Sequence, residues 1–155
     1  MAATTTNEEI ARRYVVAASA NDLDSLAALR DPDWQVSWPQ SGERVIGTDD
    51  FRAIVSRYPG GTPRTEIRRV VGDKDRWVVT PSNTALRVAG EGDLWWGEWS
   101  VTYPDGQTYF CIDLIELRGG RVWRETVYWA TPFEAPEWRA PWVRRDSKGE
   151  DASAS

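Results

Sequence analysis

Few residues of this 155-residue chain could do acid–base chemistry. Asp113 stands inside Phe110-Cys111-Ile112-Asp113-Leu114-Ile115, an apolar strand-like run that would raise the pKa of its carboxyl by desolvation. A buried acid there is costly unless a ligand or a partner uses it. Glu98 and Glu125 are the other candidate acids; each could take up a proton, or could face solvent and pair with an arginine such as Arg124. The chain has no histidine, which excludes Ser-His-Asp and Cys-His catalysis and the usual zinc sites. Cys111 is the only cysteine, so there is no intrachain disulfide and no thiolate metal cluster. With no histidine to activate it, it reads as a buried strand thiol. No metal and no cofactor are implied.

Ten tryptophans are far more than a domain of this size can hold fully in its core. Each brings a large apolar area and one N–H that wants a partner, so the surplus should line a cavity or an interface. Trp34, Trp38, Trp99, Tyr109, Tyr128 and Trp129 are the expected walls of a pocket for a small hydrophobic molecule. Trp95 and Trp96 must point to opposite sheet faces, and one of them should meet a partner subunit. Trp138 and Trp142, flanked by prolines, are expected to pack at the C-terminus, or else to fold over the pocket mouth or pack against the dimer.

The elements that must position these residues are legible in outline. Asn7 with Glu8 and Glu9 looks like a helix start, followed by Ile10, Tyr14, Ala17 and Ala18 at helical spacing. Asn21-Asp22 opens a second short helix that should end at Asp31-Pro32. Trp34-Val36-Trp38 alternates as a strand up to Pro39, and Thr48 should cap a third helix with Phe51, Ile54 and Val55 inward. Strands follow near 64–72, 76–89, 93–103, 107–117 and 121–131, with turn signals at Gly72-Asp73, Glu91-Gly92, Pro104-Asp105-Gly106 and Gly119-Gly120. Pro81 implies an edge or a bend. Tyr103-Pro104-Asp105-Gly106 suits a type I turn with a glycine bulge, which would pair Val101 with Tyr109, Trp99 with Cys111 and Gly97 with Asp113; a one-residue slip would place Glu98 opposite Asp113 instead.

Helices first and then sheet describes an α+β cone-shaped barrel, three N-terminal helices packed on a strongly curved, mostly antiparallel sheet. Residues 7–143 form one domain between polar tails at 1–6 and 144–155. The net charge of −5 argues against nucleic acid and anionic membrane surfaces as partners. The N-terminus lacks the basic start and apolar core of a secretory signal, and no apolar run approaches membrane-spanning length, so a cytoplasmic location is expected.

Arg13-Tyr14-Val15, Ala17-Ala18 and Ala20-Asn21-Asp22-Leu23-Asp24 resemble the first two helices of ketosteroid isomerases and other nuclear-transport-factor-2-like, SnoaL-like proteins. Gly47-Thr48, Ile112-Asp113 before Gly120-Arg121-Val122, and the closing stretch from Arg124 to Arg139 fit the same order of motifs. The resemblance implies the fold, and a homodimer through the outer sheet face. It also implies that Tyr14 falls at an oxyanion-hole tyrosine, and Asp113 at a carboxylic acid kept protonated so that it donates a hydrogen bond. Where the isomerases carry their general base, this chain has Trp38, and a tryptophan cannot take a proton. The Asp–Arg–Asp arrangement of epoxide hydrolases on this fold finds no match on the strands.

Two functions follow. One is a cofactor-free lyase, isomerase or cyclase for a hydrophobic, carbonyl-bearing substrate, with Tyr14 and Asp113 polarising the carbonyl and Glu98 or Glu125 moving the proton. The alternative is a non-catalytic module that binds a hydrophobic ligand or serves in assembly. Fold alone does not choose between them.

Overall fold

The structure is a computed structural model that describes residues 5–79 and 85–146, with the backbone alone for residues 73–79 and 85–91. Pro81 lies outside the described residues. Helix α1 (Asn7–Ser19) starts one residue earlier than its sequence signal suggests. Thr6 is the N-cap, and it forms a reciprocal capping box with Glu9, a device worth about 1 kcal/mol. Helix α2 (Leu23–Leu29) is capped by Asp22 as expected, but it stops at Leu29. Strand β1 (Arg30–Trp38) then runs straight through Asp31-Pro32. A short β2 (Glu43–Ile46) precedes α3 (Thr48–Val55). The cap of α3 is Gly47 at φ 85°, a left-handed-side conformation that glycine alone adopts cheaply, and not Thr48.

The remaining strands are β3 (Arg64–Val79), β4 (Ala85–Thr102), β5 (Thr108–Arg118) and β6 (Arg121–Ala130). They form one six-stranded sheet in the order β2-β1-β6-β5-β4-β3, antiparallel except where β1 runs parallel to β6. The sheet is open, with β2 and β3 as edges, so the expected barrel is not closed. Two turn signals fail. At Gly72-Asp73 the strand continues, because Gly72 is spent on a close approach: a Cβ there would sit 2.0 Å from the ring of Trp95. Glu91-Gly92 lies inside β4, where the register with β3 shifts between Asp73 and Asp75.

The β4–β5 register is the one the Tyr-Pro-Asp-Gly turn specifies. Val101 pairs with Tyr109, Trp99 with Cys111 and Gly97 with Asp113. The three helices lie on one face of the sheet, α1 packing on β3, β4 and α2. The core between them holds Val15, Leu26, Val36, Ile115, Leu117 and Val122. Trp95 and Trp96 do face opposite ways, Trp95 buried and Trp96 half-buried on the outer face. Trp138 and Trp142 neither pack into the chain's own core nor fold over the pocket mouth. They sit on a 3-10 helix (Glu137–Trp142) that buries no residue, and are 74% and 79% exposed. Among the described residues no helix is long and apolar enough to cross a membrane.

Candidate active site

Strand alternation decides which side chains face the helices. On β5 these are Tyr109, Cys111, Asp113 and Ile115; on β6, Glu125, Val127 and Trp129; on β1, Trp34, Val36 and Trp38. Arg30, the first residue of β1, turns to the same side and is 4% exposed. Helix α1 supplies Tyr14 from above. It can approach closely because Gly97, opposite Asp113, has no side chain: a Cβ there would lie 3.2 Å from Val15 Cγ2.

Five buried polar groups converge. The Tyr14 hydroxyl donates to Glu125 Oε2 at 2.6 Å, and Trp34 Nε1 donates to the same oxygen at 2.7 Å. Arg30 Nε donates to the Tyr14 hydroxyl at 2.7 Å, and its Nη1 donates to Thr48 Oγ1 at 3.3 Å. The guanidinium carbon lies 3.4 Å from the Trp34 ring centroid and 4.7 Å from that of Phe51, so aromatic faces support this cation. Asp113 is 1% exposed, and its Oδ1 has no hydrogen-bond partner.

Burial pushes the Asp113 carboxyl well above its ordinary range. Glu125 pushes it further, by charge repulsion and by hydrogen bonding, against a smaller opposing pull from Arg30. Burial, reinforced by the charge of Glu125, also raises Tyr14, so its hydroxyl stays a donor. The Cys111 thiol, next along the same face, is pushed up to about 12 by burial, which makes it unreactive at neutral pH.

These groups border a chamber of about 110 Å³ whose apolar walls include Trp38, Trp99, Val127 and Trp129. Trp38 and Trp129 pack with ring centroids 5.3 Å apart, and the Gln40 side chain bonds both backbone groups of Trp129, fixing that wall. A vestibule of about 320 Å³ adjoins the chamber through Val101, Tyr103 and Trp129, and Tyr109 lines it.

The structure thus brings together Tyr14, Asp113, Glu125, Trp34, Trp38, Trp99 and Trp129, with Tyr109 in the vestibule. It separates two others. Glu98 pairs with Ile112 and Tyr128 with Ile112 on the next strand, which puts both on the outer face; there Glu98 bonds Arg69. A carboxylate on that face cannot reach a ligand in the chamber, so Glu98 is not a candidate base and Tyr128 is not a pocket wall. Tyr14 is in place, but its proton is already committed to Glu125. Sequence reasoning missed Arg30, which shares strand parity with Trp34, Val36 and Trp38. With it, two acids and an arginine do line one chamber, although among the described residues no carboxylate lies within 4.0 Å of the guanidinium. Nor, among those residues, is there a cluster of three acids or cysteines able to hold a metal.

Three helices on one face of an open, mostly antiparallel six-stranded sheet are the fold of nuclear-transport-factor-2-like proteins. More narrowly, the family model of the SnoaL-like domain matches residues 11–125, and the chain belongs to that family. An NTF-2 like protein of unknown function from Burkholderia xenovorans LB400 is 32% identical, with 90% of this chain and 94% of that one covered at a TM-score of 0.69. A candidate ketosteroid isomerase from Kribbella flavida DSM 17836 is 23% identical over 90% of this chain and 89% of its own, again at a TM-score of 0.69; at that identity it speaks for the fold alone. No match was found among curated proteins.

Proposed function

We propose that the protein is a cofactor-independent acid–base enzyme acting on a neutral, largely apolar ketone. The observation that carries this reading is the pair of unlike carboxyls. Asp113 is buried, raised and without a partner on Oδ1, while Glu125 receives two hydrogen bonds on one oxygen. Two groups whose environments pull them apart are suited to act as acid and base.

Glu125 takes a proton from the carbon beside the carbonyl. The C–H electron pair becomes the C=C bond of an enolate, and Asp113 donates a hydrogen bond to the oxygen on which charge develops. In a β,γ-unsaturated ketone, returning the proton from Glu125 to the γ carbon completes an isomerisation; attack of the enolate carbon on a second carbonyl, with Glu125 giving its proton to the new alkoxide, completes a cyclisation. Tyr14 and Trp34 hold the base. The chamber is on the order of the ~150 Å³ cavity that accepts a benzene, so a single ring fits beside the acids and the rest of a larger molecule extends into the vestibule. A homodimer through the outer face belongs to the same proposal. Phe110, Ile112 and Tyr128 are exposed there, in a row across β5 and β6.

The test is deuterium incorporation into 2-tetralone in heavy water, followed by NMR. Wild type should exceed buffer, Glu125→Gln should lose about 100-fold or more and Asp113→Asn roughly ten- to 100-fold, and Glu98→Gln should match wild type. Ketone that binds but exchanges no faster than in buffer would reject catalysis in favour of a binding module.

A further inference from the structure

We infer that Arg30 is a positioning residue of this site: through the Tyr14 hydroxyl it makes Glu125 the ionised member of the buried carboxyl pair and leaves the proton on Asp113. The inference deepens the acid–base reading and rests on it for its consequence, though not for its test.

A guanidinium keeps its charge, and burying it without a counter-charge is expensive. Arg30 is buried, and among the described residues it has no ion-pair partner. Its one short hydrogen bond goes to the Tyr14 oxygen, whose own hydroxyl donates to Glu125 Oε2. Three groups therefore form a line in which both donors point towards Glu125, and Trp34 adds a third donor from the side. Negative charge on Glu125 is stabilised along this line. Asp113 receives no such donor on Oδ1. Two carboxylates in one dry chamber cannot both ionise cheaply, so the member outside the line keeps the proton.

The other groups facing the pair do not compete. Tyr14 from α1 is held as a neutral donor, Cys111 from β5 is pushed up to about 12, and on β4 the residue opposite Asp113 is a glycine. One buried cation and one buried anion leave the chamber neutral, which suits an uncharged ketone.

Infrared spectroscopy of the protonated-carboxyl C=O stretch at pH 7 tests the assignment without any substrate, since exposed carboxyls are ionised there. Wild type should give one band, lost in Asp113→Asn. Arg30→Met should roughly double the band area, the added intensity vanishing in the Arg30→Met, Glu125→Gln double variant, while Arg30→Lys should restore the single band. Tyr14→Phe cuts the same line with the arginine in place, and it too should gain intensity, so the test stands even if Arg30→Met fails to fold. A wild-type band that survives in Asp113→Asn, or wild-type spectra from folded Arg30→Met and Tyr14→Phe, would overturn the inference. Spectra as expected with no exchange of 2-tetralone would remove the enzymatic reading and leave the proton assignment standing; the reverse result would do the opposite.

Discussion

Replacing Asp113 by Asn should change how stability depends on pH more than it changes stability itself. In the unfolded chain this carboxyl ionises near 3.8, whereas in the folded protein burial and Glu125 hold its proton to much higher pH. The folded state therefore binds the extra proton. The stability tied to this group is fully present below pH 3.8, and it is lost as pH rises from there through the raised folded value. Each pH unit in that window costs about 1.4 kcal/mol. A carboxyl still protonated at pH 7 has cost the fold about 4 kcal/mol relative to acid conditions. Asparagine has nearly the same shape and cannot ionise, so it escapes this cost. Urea unfolding followed by tryptophan fluorescence at pH 4, 5, 6 and 7 measures the difference between variant and wild type. The variant should begin level with or below wild type at pH 4, and should gain on it by up to about 4 kcal/mol at pH 7, roughly 2 M in the urea midpoint. Taking the difference removes the contribution of carboxylates common to both proteins. Parallel curves, with an offset constant to within about 0.5 kcal/mol, would mean that Asp113 is ionised in the folded protein at neutral pH. The proposed division of labour between the two acids would then fail.

Tyr14→Phe keeps the ring but removes the hydroxyl that Arg30 and Glu125 share, and hydrogen bonds to charged groups are worth about 1.5–3 kcal/mol each. A loss of about 2–4 kcal/mol in urea unfolding at pH 7 is expected, and a loss under about 0.5 kcal/mol would show that the bridge is not made. Gly97→Ala places a Cβ 2.7 Å from Trp99 Cζ3 and 3.2 Å from Val15 Cγ2, so it should cost about 1–3 kcal/mol and alter the near-ultraviolet dichroism of the tryptophans; an unchanged melting curve and spectrum would refute the close approach of α1. For the proposed homodimer, sedimentation velocity should find a dimer at micromolar concentration that Tyr128→Lys dissociates, and a monomeric wild type would reject it.

How far the site could be read from the sequence depended on whether a single strand period carried the information. The Tyr103-Pro104-Asp105-Gly106 turn specifies the β4–β5 register, and that register turns Asp113 and Cys111 to one face and Glu98 to the other. The case against Glu98 was therefore already in the turn that placed Asp113, since adjacent strand residues cannot share a face. The same parity on β6 separates Tyr128 from Trp129 and puts Glu125 with Trp129. Arg30 was harder to find. An arginine at a helix end normally reads as a solvated C-terminal charge, and Asp31-Pro32 marks a break; in the fold α2 stops early, and β1 carries Arg30 inward beneath two aromatic rings. Gly72 misled for the opposite reason. Its signal is that of a turn, but the requirement it meets is space for Trp95, a contact made across strands and invisible to local pattern. Composition and periodicity report what each residue would do among its chain neighbours. The Tyr14–Glu125 bond joins residues 111 positions apart, and it turns an expected oxyanion donor into the group that holds a base. Only the packing of α1 on the sheet, which brings Tyr14 within reach of β6, creates that change of role.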